Sequence, residues 1–354
     1  MKMRALRIFN RGVAKVHWTE SRSTGTRLGS YTEHYNAEVE YFFRRQLLFG
    51  GDHSDVRETL VEGRHEFSFG FDLPVEGIAT SFEGKHGSIR YWLKAEMDKP
   101  WSFNHKTKKA FTVISPIDIN KPEYLVSVEN NTEKLLCCWL CTSGPISINA
   151  RTDRRGYCPG ESIAISADFE NHSSRTVIPY ATLHQTQTFF ANGKSRLRAT
   201  KFTVLTGLSV TPGNRATWDA QLLKIPAVSP TIMNCCVIKG RLTTSRMSYG
   251  FPQPRFFPEP QFVDTAFLPA PPPYREALTP PPPIDEPPTY AESMTGAVDI
   301  RDEDDDQPGT MGDLMFTPMY TYVYDYRYRS PPAYSEVDPC RGGASAGTMA
   351  CSRL

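Results

Sequence analysis

The sequence predicts an all-β chain of two antiparallel sandwiches in series, followed by a Pro-rich tail that buries no core. Three observations predict it. Apolar residues alternate with period two through the first two-thirds, clusters of turn residues separate the alternating runs, and no long run carries a helical period. The composition then changes: roughly two-thirds of the 29 prolines fall after Tyr249.

The alternation places individual strands. Phe67, Phe69, Phe71 and Leu73 occupy every second position, as do Ile89, Tyr91, Leu93, Ala95 and Met97, and then Ile163, Ile165, Ala167 and Phe169. Each set puts one face of a strand on a core and the other toward solvent. Turn clusters stand between them, at Ser81–Gly87 and Asp153–Gly160. The stretch Ser115-Pro116-Ile117-Asp118-Ile119-Asn120-Lys121-Pro122 interrupts the strands with two prolines and reads as an interdomain hinge. The expected domains are therefore 1–117, 118–250 and 251–354. The last is expected to be disordered when free, because it buries too little apolar surface to offset chain entropy.

Bulk properties exclude several classes. A formal charge of +1 and a pI near 7.6 give no electrostatic reason to expect nucleic acid. No stretch approaches the roughly 18 apolar residues of a membrane-spanning helix, and Met1-Lys2-Met3-Arg4 leads into no signal-peptide core, so a cytoplasmic chain is expected. The eight cysteines then read as small buried hydrophobes. No Gly-rich phosphate loop, nucleophile elbow or His-Glu-x-x-His is present, so no enzyme and no cofactor is expected.

The tail carries the strongest functional signal, three Pro-Pro-x-Tyr tetrapeptides. Pro271, Pro272 and Tyr274 form the first, Pro287, Pro288 and Tyr290 the second, and Pro331, Pro332 and Tyr334 the third. Paired prolines hold the backbone near polyproline II, which aromatic-lined grooves of WW domains accept at little ordering cost. Tyr290 to Tyr334, treated as free chain, spans about 35–40 Å, room for two WW domains.

Other constellations admit blander readings. Cys137, Cys138, Cys141, Cys235 and Cys236 invite zinc, but Leu135 to Leu140 reads as a strand, which points residues 138 and 141 to opposite faces; no metal is expected. Lys106, Lys108 and Lys109, with Arg151, Arg154 and Arg155, either meet phosphorylated cargo or anionic lipid or form solvated strand faces. The run Asp302–Asp306 reads as a self-repelling spacer. Tyr320, Tyr322, Tyr324, Tyr326 and Tyr328 alternate, so an extended backbone either adds to a sheet edge or remains a linker.

Several of these runs resemble a known family. Ser81–Trp92, Pro116–Asn120, Arg155–Glu161 and the tail segment Pro331–Pro339 resemble the arrestin domain-containing proteins, or alpha-arrestins, and the resemblance covers roughly residues 4–240. It implies two immunoglobulin-like arrestin β-sandwiches and a flexible tail. It further implies a non-catalytic adaptor that recruits WW-bearing HECT-type E3 ubiquitin ligases and links them to membrane receptors or transporters, peripheral at plasma membrane and endosomes. Family members carry strands before the segment matching Arg4–Arg7 and after the one matching Cys235–Ile238, so both sandwiches are expected to lack strands here. A truncated scaffold that sequesters ligases without presenting cargo is the alternative. In one member a cysteine engaging thioredoxin lies three residues before a tryptophan. The matching position is Arg215, ahead of Trp218, so thioredoxin binding is not expected.

Overall fold

A computed structural model of the chain describes residues 2–23, 29–51, 58–61, 63–99, 101–138, 141–244, 248–250, 297–301, 310–311 and 314–323. The N-terminal unit contains β1 (Lys2–Met3), β2 (Ala5–Ser23), β3 (Ser30–Gly50), β4 (Glu58–Thr59), β5 (Phe82–Gly84), β6 (Gly87–Asp98) and β7 (His105–Phe111). A one-turn helix α1 (Pro122–Leu125) follows the hinge segment. The C-terminal unit contains β8 (Val128–Cys138), β9 (Cys141–Thr152), β10 (Ser162–Asn171), β11 (Ile178–Ala191), β12 (Lys194–Thr206), β13 (Arg215–Lys224), β14 (Ile238–Thr244) and β15 (Ser248–Gly250). Three short strands come from the tail: β16 (Val298–Asp299), β17 (Thr310–Met311) and β18 (Met315–Phe316).

The C-terminal unit is a two-sheet sandwich. One sheet runs β13-β10-β9-β8; the other runs β12-β11-β14, with β15 also on β11. Ile163, Ile165, Ala167 and Phe169 of β10 are all buried, as their alternation predicts. They pack with Ala181 and Leu183 of β11 across the sandwich and with Trp218 and Leu223 of the neighbouring strand β13. Phe169 meets the Trp218 ring edge-on at 5.0 Å, a geometry that aromatic quadrupoles favour.

The N-terminal unit is organised around one six-stranded sheet, β17-β7-β6-β2-β3 with β5 on β6. Neighbouring residues Val13 and Ala14 are both buried, and so are Tyr91 and Trp92, so both faces of this sheet are covered. On one face, Ala14, Val16, Ile89 and Tyr91 pack with Ile78, Phe82 and Val113 and with Phe189, Ala191, Ile232 and Ile238 of the C-terminal unit. The other face receives the tail. A skipped position opposite Gly12 and Val13 leaves Tyr41 unpaired, and both Tyr41 and Phe42 lie 6.0 Å from the Tyr91 ring. Gly12 permits that stack, since a Cβ there would sit 2.6 Å from Tyr91.

Three expectations need correction. Phe67–Leu73 does not form a strand; none of the described strands pairs with it to satisfy its backbone, and Phe69 is 40% exposed and Leu73 37%. Leu135–Leu140 is not one continuous strand either. β8 ends at Cys138 and β9 begins at Cys141, and these two cysteines are cross-strand partners at the hairpin. The reading of 251–354 as a tail that buries no core is amended for 297–301 and 314–323, where Ile300 is 1% exposed and Phe316 8%.

Candidate protein-interaction site

The nine residues of the three Pro-Pro-x-Tyr motifs, Pro271, Pro272, Tyr274, Pro287, Pro288, Tyr290, Pro331, Pro332 and Tyr334, lie outside the described residues, as do Asp302–Asp306 and Tyr324, Tyr326 and Tyr328. What the structure describes is the chain segment between the second and third motifs and the surface it rests on.

That surface is built by β6, β7 and the corner before β5. β7 pairs antiparallel with β6 and places Lys108 beside Trp92, with Nζ 4.7 Å from the ring centroid. Lys108 is 2% exposed, a costly position for an ammonium group unless its donors are used. It donates to the carbonyl oxygen of Ile300 at 2.9 Å. The Ile300 amide in turn donates to the Leu314 carbonyl, and β16 pairs antiparallel with β18. The tail therefore crosses the sheet as a small hairpin with Ile300 and Phe316 turned inward. Asp299 accepts from Arg301, which holds its carboxyl below the usual range.

The contacts continue along the chain. Thr310 and Met311 add parallel to the β7 edge opposite Lys106 and Thr107. The Met319 amide donates to Thr112 Oγ1 at 3.1 Å, and Tyr320 Oη donates to the Ser81 carbonyl at 2.7 Å. Ser81 is 1% exposed and is itself tied to Val113 by two hydrogen bonds of 2.9 Å. Val323 then donates its amide to the Pro159 carbonyl, on the C-terminal unit, at 2.9 Å. Gly160 has φ +96, and any Cβ there would overlap the Val323 carbonyl oxygen, so the tail's approach requires glycine. We call residues 314–323 the strap.

The strap resolves part of the tyrosine pattern. Tyr320 and Tyr322 do meet folded surface, but on different units: Tyr320 on Ser81, and the Tyr322 ring against Gly160. Strand addition occurs at 310–311 instead, because at 319–323 the backbone passes from one unit to the other and makes single bonds rather than a ladder. Sequence reasoning missed Ser81, Thr112 and Pro159 as docking points. Only the glycine at 160, inside a turn cluster, hinted at a close backbone approach.

The two groups of basic residues belong to different units. Lys108 is consumed inside the sheet as described, whereas Lys106 and Lys108 share one face of β7 and Lys109 takes the other. Arg154 lies in the C-terminal unit, donating to Glu161 at 3.1 Å and covering the Tyr157 ring. Arg151 and Arg155 flank it in the same unit and are exposed. Among the described residues no cluster of histidine, cysteine and carboxylate is arranged to hold a metal. Cys235 is buried and Cys236 exposed. Arg215 opens β13 and pairs with Glu170 at 3.2 Å.

Residues 1–120 match the family described as arrestin (or S-antigen), N-terminal domain, and residues 142–241 match its C-terminal domain. The chain belongs to the alpha-arrestin family. It is 33% identical to mouse (Mus musculus) arrestin domain-containing protein 4, over 97% of this chain and 86% of that protein. The human (Homo sapiens) form is 33% identical over 95% and 84% of the two chains. Human thioredoxin-interacting protein is 27% identical over 96% of this alpha-arrestin and 88% of its own length.

Proposed function

We propose that this alpha-arrestin is a non-catalytic adaptor that recruits WW-domain HECT-type ubiquitin ligases and links them to membrane receptors or transporters. It works in the cytoplasm and peripherally at plasma membrane and endosomes, where ubiquitination directs cargo into endocytosis and sorting. The observation that carries this reading is the threefold repeat of Pro-Pro-x-Tyr at 271–274, 287–290 and 331–334 in a chain with arrestin domains. Each copy presents a stiffened backbone and one flat aromatic anchor to an apolar groove. Several weak contacts on one chain raise avidity by about 10²–10⁴-fold when the partner carries WW domains in tandem.

The free-chain spacing between the second and third motifs does not apply while the tail is docked, because 297–301 and 314–323 rest on the folded units. Replacing Tyr274, Tyr290 and Tyr334 together by alanine is expected to abolish capture of a tandem WW fragment, and each single replacement to weaken it partly. Capture by the triple variant at the level of the unaltered chain, measured by titration calorimetry, would refute the reading. Thioredoxin is not proposed as a partner, since the ion-paired Arg215 offers no thiol.

A further inference from the structure

We propose that Tyr320 is a phosphorylation site that unlatches the strap from the seam between the two units; its consequence for ligase capture rests on the function proposed above. Tyr320 Oη donates to the buried Ser81 carbonyl, an oxygen that accepts and cannot donate. A phosphoryl group removes that donor. It also brings about −1.5 to −2 charge and three acceptor oxygens against the Ser81 oxygen. The docked arrangement is incompatible with both changes.

The strap is also built to open locally. Phe316 is buried, but Met319 is 67% exposed and Thr321 is exposed, so residues 319–323 are held largely by bonds to Thr112, Ser81 and Pro159. Segments with few buried apolar contacts open far below the global unfolding free energy. Ile300 and Phe316, fully seated on the sheet, keep the hairpin in place meanwhile. A tyrosine kinase then reaches the hydroxyl in the open state. The γ-phosphoryl of ATP passes to Oη: the Oη–P bond forms, the bond from γ-phosphorus to the bridging oxygen breaks, ADP leaves, and the phenolic proton goes to the kinase base. Reclosure is blocked, so modification traps the open state.

Unlatching changes what the third Pro-Pro-x-Tyr can reach. With Val323 bonded to Pro159, eight Cα steps lead to Pro331, so that motif lies within about 28 Å of the C-terminal unit. A WW domain of ordinary size, about 20 Å across, must then fit beside the sandwiches. Release at 319–323 moves the anchor back to the buried Pro318 and Phe316 and lengthens the tether.

The test installs phosphotyrosine at position 320 of the full chain by codon suppression and follows amide hydrogen exchange residue by residue. Exchange at Met319 and Val323 is expected to rise at least about tenfold, with Ile300 unchanged as the internal control for global unfolding. Tyr320→Phe, which keeps the ring and loses the bond, is expected to give a smaller rise. Unchanged exchange at Met319 and Val323 in the phosphorylated chain overturns the proposal, as does a rise shared equally by Ile300. A broad-specificity tyrosine kinase domain with ATP should modify Tyr320 in the full chain; modification of a 314–328 peptide only also overturns it. In parallel, a tandem WW fragment should bind the phosphorylated chain more tightly. If it binds neither form, the ligase-recruiting function fails while the latch is still decided by exchange.

Discussion

At the scale of single residues, buried charge is the most informative feature. Glu83 is 6% exposed, and its carboxylate accepts from Arg90 Nε at 2.6 Å and Nη2 at 3.0 Å. Burial pushes the carboxyl above its ordinary value near 4.5, and the Arg90 guanidinium offsets only part of that rise. The folded chain therefore binds this proton more readily than the unfolded chain. The Glu83 contribution to stability is greatest below about pH 4.5 and falls as pH rises through the folded value. Glu83→Gln should flatten this part of the profile, measured by urea unfolding at about pH 5 and about pH 7. Arg90→Met, by contrast, leaves a carboxylate without its partner and should cost about 3–5 kcal/mol at neutral pH, with much of the loss recovered in the double variant. None of this was legible in the sequence, because Glu83 sits in the turn-rich run Ser81–Gly87, whose burial depends on what packs over it.

At the scale of elements, period two was a good guide to strands that have neighbours and a poor one to a segment that has none. β10 pairs with β9 on one side and β13 on the other, and its four alternating apolar residues all reach the core. Phe67–Leu73 carries the same pattern but pairs with none of the described strands, and Phe69 and Leu73 are exposed. The difference is measurable. Phe169→Ala should lower stability by about 3–5 kcal/mol through lost transfer energy and a cavity beside Trp218. Phe69→Ala should cost less than about 1 kcal/mol, since that ring is 40% exposed and touches chiefly Phe71. Equal losses in denaturant unfolding would show that the 67–73 segment is packed after all. The continuous strand expected over Leu135–Leu140 failed for a related reason: a two-residue hairpin between Cys138 and Cys141 is a matter of chain reversal, which the flanking apolar residues Leu135, Leu136 and Leu140 do not announce.

At the scale of the whole molecule, the two units share a core. Phe189 of β11 is fully buried; its ring lies 6.4 Å from Phe82 and meets His86 edge-on at 5.6 Å. Lys194 at the start of β12 donates to Tyr35 of β3 at 2.6 Å, and Tyr35 stacks on Trp18 at 5.0 Å. A core drawn from both units couples their unfolding. A single calorimetric transition is expected, and Phe189→Ala should speed amide exchange in β6 as well as in β11. Two separated transitions, or an effect confined to β11, would contradict a shared core.

The amino-acid order alone determined the all-β class, the two-unit plan and the repeated Pro-Pro-x-Tyr tetrapeptides, because each is written in short-range periodicity or local sequence. Tertiary structure alone decided that Lys108 is an internal donor rather than a surface cation, that Phe189 completes the core of the neighbouring unit, and that Ile300, Phe316 and Tyr320 return to the sheet. Those outcomes depend on which surfaces meet across some two hundred residues of chain, as in the Lys108 to Ile300 bond with its separation of 192. Burial and hydrogen-bond completion act over that separation, and no local pattern encodes them.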